Sequence, residues 1–195
     1  MRLIAVRHPA PAVAAGLCYG SSDIPVDPAA LRAALANLAQ SLPHGAHIHM
    51  VSSPLQRCTA LSMALAAQWG LPPPLLEPRL AEMDFGAWEL RPWDAIARAE
   101  IDAWTADLVH YAPGGGETVL QVARRVADFV DALRRAQVSD AVVVCHAGTI
   151  RLLAAIERAG LHGAPPGEGA LAAIALQAAA TPHRIDYGGI VTMRF

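Results

Sequence analysis

Apolar and polar positions change period along this chain. Short apolar runs of strand length give way to longer stretches with apolar residues at helical spacing, and turn-forming clusters separate them. Leu3–Val6 is a brief apolar run and reads as a buried strand. Residues 9–26 carry Pro, Gly, Ser and Asp and read as a loop. Asp27 followed by Pro28 predicts a helix N-cap and first helical residue, so "VDPAALRAALANLAQSL" reads as a helix. "HIHMVSS" reads as a second strand. "SPLQRCTALSMALAAQWG" opens with Ser53 as a cap, continues through Pro54, and stops at Gly70, which predicts a second helix. "PPPLLEP" is a short extended piece. Positions 79–117 are mixed, hold Trp88, Trp93 and Trp104, and predict one or two short helices. "GGGETVLQVARRVADFVDALRRAQ" is a loop and then a long amphipathic helix. "AVVVCHAG" has the strongest strand pattern, and "TIRLLAAIERAG" is a helix with Gly160 beyond its end. The Ala-rich stretch 168–180 fits a helix, though its composition also fits loosely packed coil. "GIVTMRF" closes as a strand.

Strands that alternate with helices predict an α/β fold: three layers, α/β/α, around a central and mostly parallel sheet. No internal repeat or linker divides the chain, so residues 1–195 read as a single domain, with 84–116 as an insertion that shapes the substrate pocket.

Composition changes this picture little. Apolar residues make up 54 % of the chain, enough for a sizeable core. A net charge of −2 offers no polyanion-binding surface, so nucleic acid is not an expected partner. The longest apolar runs are too short to span a membrane. Cys18, Cys58 and Cys145 are an odd count without disulfide spacing, which fits a reducing cytoplasm. The apolar surplus of an Ala-rich chain does not separate core from interface, so the sequence assigns no oligomeric state. There is no lysine, and all 15 basic residues are Arg. Any anion held here by a cationic side chain therefore meets Arg or His.

The strand ends carry the chemistry. In a mostly parallel sheet the loops leaving the carboxyl ends of strands meet at one edge. The first predicted strand ends in Arg7-His8, the second in Ser52-Ser53 with Arg57 just beyond, and the strongest in His146. Two arginines and two histidines without interleaved carboxylates repel one another unless an anion lies between them. A tetrahedral phosphoryl group fits, because guanidinium forks match its oxygens. The start of the helix after Ser53 would add backbone donors. An imidazole in such a ring can attack phosphorus and split one displacement into two. The leaving oxygen then needs a proton, for which Glu82 is the candidate and Asp84, two residues on, the rival. His47 and His49 share a strand face, but without Cys or carboxylate partners they read as packing rather than as metal ligands.

"RH" after the first strand, "SSPLQR" after the second, "LAEMDFGAWE", "PGGGET" and "VVVCHAG" occur in an order that resembles the histidine phosphatase superfamily, in its phosphoglycerate-mutase-like branch. The resemblance covers residues 1 to about 151. It implies a phosphomonoester hydrolase with His8 as the phosphorylated nucleophile. Arg7, Arg57 and His146 would hold the phosphoryl group, and Glu82 would be proton donor and later base. It implies no metal or other cofactor, and a small-molecule phosphate ester as the partner. "RHPAP" followed by "GLCYGSSDIPVD" is similar to α-ribazole phosphatase-type members, which act late in cobalamin synthesis. Tyr19, Gly20, Ser21 and Asp23 carry that similarity, so Tyr19 and Ser21 are expected to touch substrate. Glu117 of "PGGGET" is expected near the site, either against substrate or at the helix start. Two departures stand out. Pro9 replaces the family's usual Gly and removes an N–H, and Ala10 offers no polar side chain.

Two other readings remain open at this stage. Cys145-x5-Arg151 has the spacing of cysteine-dependent phosphatases, though Val144 and Leu152 stand where a His and a Ser or Thr are typical there. A phospho-ligand-binding module without turnover is the second.

Overall fold

Successive strand residues point to opposite faces of a sheet, and β1 (Arg2–Arg7) uses both faces. Leu3 and Ala5 join one core and Ile4 and Val6 the other. The computed structural model describes residues 1–45, 47–160, 166–181 and 185–195. Beside β1 the sheet holds β2 (His49–Ser52), β3 (Leu75–Leu76), β4 (Asp140–Cys145) and β5 (Ile190–Arg194), in the order β3-β2-β4-β1-β5. Strands β1 to β4 pair in parallel, and β5 runs antiparallel beside β1.

One face is covered by α1 (Pro28–Ser41) and α2 (Gln56–Trp69), which supply Leu38, Leu61 and Leu65 against Ile4, Val6, Val142 and Val144. The other is covered by α4 (Val119–Arg135), α5 (Ala147–Arg158) and α6 (Glu168–Ala180), which pack Val126, Phe129, Ile150, Leu153 and Ile174 against Leu3, Ala5 and Val143. Each such aliphatic side chain contributes about 1.5–3 kcal/mol when fully buried. This is the expected three-layer α/β/α arrangement. The Ala-rich stretch is helical: Leu171, Ile174, Ala175 and Ala178 are buried, and small residues let α6 lie close to its neighbours.

Helix α2 starts later than expected. Ser53 still belongs to the sheet edge, donating its amide to Val144 O at 2.9 Å, and Leu55 remains extended. The free amide at the helix start, Gln56 N, donates to Asp23 Oδ1 at 2.6 Å. A distant carboxylate thus caps α2, and that donor is not turned toward an anion at the strand ends. Segment 84–116 contains α3 (Arg98–Ala106) and single 3₁₀ turns at Gly86–Trp88, Trp93–Ala95 and Pro113–Gly115. Trp88 and Ile96 are buried there with Cys18, and Phe85, Ile101, Trp104 and Tyr111 pack around them. Among the described residues no helix is long and apolar enough to cross a membrane.

Candidate active site

Because β4 lies between β1 and β2, the sheet places three carboxyl ends side by side. His8 leaves β1 with its amide donated to Cys145 O at 3.0 Å, so the chain is held in register one residue past the strand. Its ring lies 5.1 Å from the His146 ring, centroid to centroid. His8 Nδ1 is 2.7 Å from Pro9 O. A carbonyl only accepts, so Nδ1 carries the proton and Nε2 keeps its lone pair. Pro9 therefore contributes a carbonyl where it lacks an N–H. Only 3 % of His8 is exposed, and its pKa is pushed down to about 3. Burial is the main cause, opposed by the Pro9 carbonyl and reinforced by the guanidinium charges of Arg57 and Arg7.

His146 is also buried and held well below the ordinary imidazole range, first by burial and then by His8, Arg57, Arg125 and Arg7. Its Nε2 lies 2.8 Å from Ser53 Oγ and 3.5 Å from Cys58 Sγ. The Arg57 guanidinium is fully buried. It donates to Ser22 O at 2.7 Å and to Gly20 O, while Nε has no partner among the described residues. Arg7 donates from Nη1 to Ile185 O at 2.5 Å and stacks on the Tyr187 ring at 3.8 Å, and its buried Nε likewise lacks a partner among the described residues. Each guanidinium keeps N–H groups uncommitted. The structure thus gathers Arg7, His8, Arg57 and His146 into one positively charged shell, in which both imidazoles are neutral.

Glu82 and Asp84 part company. Glu82 Oε2 accepts the Gly148 amide at 3.0 Å, at the start of α5, and the side chain lines a cavity that Tyr19 and Gly148 also border. Asp84 Oδ1 instead accepts from Ser21 Oγ at 3.1 Å and Gly86 N at 2.8 Å, which ties two loops together. Ser21 also gives its amide to Glu89 Oε1 at 2.9 Å. Tyr19 lies over Arg57, 5.6 Å from its guanidinium, and its hydroxyl is 2.9 Å from that of Tyr187. Glu117 is ion-paired with Arg125 at 2.9 Å and accepts the Asp84 amide at 3.1 Å. The glycines of "PGGGET" have a packing reason: a Cβ on Gly116 would lie 2.2 Å from Asp84 O.

Cys145 is a core residue. It is fully buried, faces the α4–α5 layer, and its thiol pKa is raised well above normal, chiefly by burial and next by Cys58 and Glu82. Arg151, its partner in the Cys-x5-Arg reading, donates from Nη2 to Ala179 O at 2.8 Å and Thr181 O at 3.0 Å. A thiol held protonated inside the core is no nucleophile, so that reading fails.

Residue-level reading of the sequence did not single out Tyr187 or Glu89. Tyr187 sits in "IDYGG", which carries no motif. Glu89 closes "LAEMDFGAWE" and accepts the amides of Gly20, Ser21, Ser22 and Phe85 at 3.0, 2.9, 3.2 and 3.0 Å. Burial raises its pKa, but the hydrogen bonds from Ser22 and these amides outweigh that and hold the carboxyl below its usual value. Among the described residues no group of three or more His, Cys, Asp or Glu is placed to hold a metal ion.

Residues 3–179 match the model of the histidine phosphatase superfamily, branch 1. The chain belongs to the histidine phosphatase superfamily. An adenosylcobalamin/α-ribazole phosphatase of Escherichia coli K12 is 31 % identical over 161 residues, covering 80 % of this chain and 78 % of that protein. Among solved structures, the α-ribazole phosphatase of Shigella flexneri superposes with a TM-score of 0.75 at 25 % identity, over 98 % of this chain and 89 % of the other. A mycobacterial glucosyl-3-phosphoglycerate phosphatase superposes with a TM-score of 0.71 at 25 % identity, over 91 % and 83 %. This histidine phosphatase is an enzyme that acts on phosphate esters.

Proposed function

We propose that the enzyme hydrolyses phosphomonoesters through a phosphohistidine at His8, without metal, and that α-ribazole 5′-phosphate is its substrate. One observation carries the mechanism: His8 gives its only N–H to Pro9 O, so a neutral ring presents a free Nε2 among guanidinium groups. In the first step Nε2 attacks phosphorus in line and the P–O bond to the alcohol breaks. Glu82, as a carboxylic acid, protonates the leaving oxygen. In the second step the Glu82 carboxylate takes a proton from water, the oxygen attacks phosphorus, and the P–N bond breaks with its electron pair returning to Nε2. Arg7, Arg57 and His146 oppose the charge that builds on the phosphoryl oxygens, which is the task a metal performs in other phosphoryl transfer sites. Tyr19 and Ser21 belong to the loop that matches the α-ribazole phosphatase-type pattern. Ser21 acts by anchoring that loop to Asp84 and Glu89. Glu117 positions Arg125 and the Asp84 amide.

The test is direct. The wild type should release inorganic phosphate from α-ribazole 5′-phosphate and p-nitrophenyl phosphate in the presence of EDTA, and should trap an acid-labile, alkali-stable phosphoryl adduct. His8→Ala should do neither. Undiminished turnover by His8→Ala would end the proposal.

A further inference from the structure

Glu82 is held at both its side chain and its backbone. The carboxylate accepts the Gly148 amide at 3.0 Å and the Met83 amide at 3.1 Å. The backbone is held from another element, by Arg125 in the second turn of α4. Arg125 Nη1 donates to Arg79 O and Ala81 O, both at 2.7 Å, and Nη2 donates to Glu82 O at 3.3 Å. These carbonyls lie at and just beyond the end of the 3₁₀ turn Pro78–Leu80, where a helical turn has no donors of its own to offer. The other N–H groups of Arg125 fork onto Glu117, Nε to Oε1 and Nη2 to Oε2, each at 2.9 Å. Glu117 Oε2 also accepts the Asp84 amide at 3.1 Å. A guanidinium carries five N–H groups, and at Arg125 five acceptors take them. Arg7 and Arg57 differ, since each keeps a buried Nε without a partner among the described residues. Those two can turn to a phosphoryl oxygen, whereas Arg125 is fully committed to the chain around Glu82.

We propose that Arg125 is the positioning residue of the proton donor: it holds the peptide units on both sides of Glu82 and so aims the carboxyl at the leaving oxygen, while Glu117 holds Arg125. The proposal rests on Glu82 being that donor. Peptide units are planar, so two neighbours meet at one Cα through φ and ψ alone. Ala81 O and Glu82 O belong to the two units that flank the Glu82 Cα. Bonding both to one guanidinium fixes the direction in which the side chain leaves the backbone. Lysine keeps the charge but has a single nitrogen and no fork, so it cannot hold both units and Glu117 together. A catalytic group moved by about 1 Å loses about 10²-fold in rate. That loss falls on esters whose leaving oxygen needs a proton. An alkoxide needs one, and p-nitrophenolate, a stable anion, departs without it.

The experiment measures kcat, from released phosphate, on n-butyl phosphate and on p-nitrophenyl phosphate. Arg125→Lys should lower kcat on the butyl ester about 10–10²-fold and on the nitrophenyl ester less than about threefold. In Glu82→Gln/Arg125→Lys the butyl loss should equal that of Glu82→Gln alone, because a group that is gone cannot be misaimed. A general loosening of the fold would instead multiply the two losses. Glu117→Gln, which weakens the fork, should give the same split between esters more weakly, and it decides the matter if Arg125→Lys does not fold. With Glu82→Gln itself selective for the butyl ester, an equal loss on both esters in these variants, no loss on either, or multiplied losses in the double variant would overturn the proposal and leave Glu82 in its role. If Glu82→Gln slows both esters alike, the proton donor is misassigned and this proposal falls with it.

Discussion

A methyl group on Gly148 would lie 2.5 Å from Glu82 Oε1, so these two residues compete for one volume. The Gly148 amide holds the other carboxylate oxygen. Glycine at 148 is therefore a condition for the proposed acid to stand where it does, and this gives a graded prediction. Glu82→Gln should slow alkyl phosphate hydrolysis by about 10²–10⁴-fold, the usual cost of losing a general acid, and p-nitrophenyl phosphate far less. Gly148→Ala should act in the same direction more weakly, lowering kcat on alkyl esters about 10–10²-fold by pushing the carboxylate aside. Rates measured on both ester types separate the two effects, and an equal loss on both would mean that Glu82 has no proton to give. Residue types at this scale were legible in the sequence. Arg7-His8, Arg57 and His146 stood out as groups at strand ends, and Glu82 as the candidate acid with Asp84 as its rival. Their different partners were not legible: Glu82 accepts the Met83 and Gly148 amides and borders the cavity, while Asp84 ties Ser21 to Gly86.

Helix α2 shows where local signals lose to tertiary ones. Ser53-Pro54 has the chemistry of a helix start, yet Ser53 Oγ turns to His146 and Asp23, 33 residues before Gln56, supplies the cap. No local pattern contains that contact, so the boundary could not be read from the sequence. Asp23 accepts from both the amide and the side chain of Gln56, at 2.6 and 3.0 Å, next to the residue whose guanidinium holds Gly20 O and Ser22 O. Asp23→Ala should cost about 0.5–2 kcal/mol in urea unfolding, as lost caps do. It should also raise KM, because Arg57 and the 20–22 loop lose a shared anchor. Unchanged stability and KM would show that α2 caps itself by other means. The 168–180 stretch was ambiguous for a related reason: alanine fits coil or helix in isolation, and its burial against α4 and α5 is a property of the assembled layers.

For the molecule as a whole, two neutral imidazoles in the interior couple folding to acidity. His8 and His146 titrate near 6.5 when unfolded and lower when folded, to about 3 for His8. Between those values the unfolded chain binds protons that the folded chain does not, so stability rises with pH there and is lost as pH falls below about 6.5. Each imidazole contributes up to about 2 kcal/mol of that loss between pH 6.5 and 5. Thermal unfolding should show a Tm that drops steeply over this interval, and His8→Asn should flatten the drop by about half. A Tm insensitive to pH from 7 to 5 would contradict the burial of neutral rings. The layered α/β class was legible from alternation alone, whereas strand order was not, because β3-β2-β4-β1-β5 is a statement about neighbours far apart in the chain.

The last strand runs back beside the first, and just before it Ile185 and Tyr187 take hold of Arg7. One guanidinium is thus secured by a stretch 178 residues further along. Pairing of β1 with β4 alone leaves Arg7 without that hold, so the proposed phosphoryl site is complete only once the stretch around Tyr187 has docked beside β1.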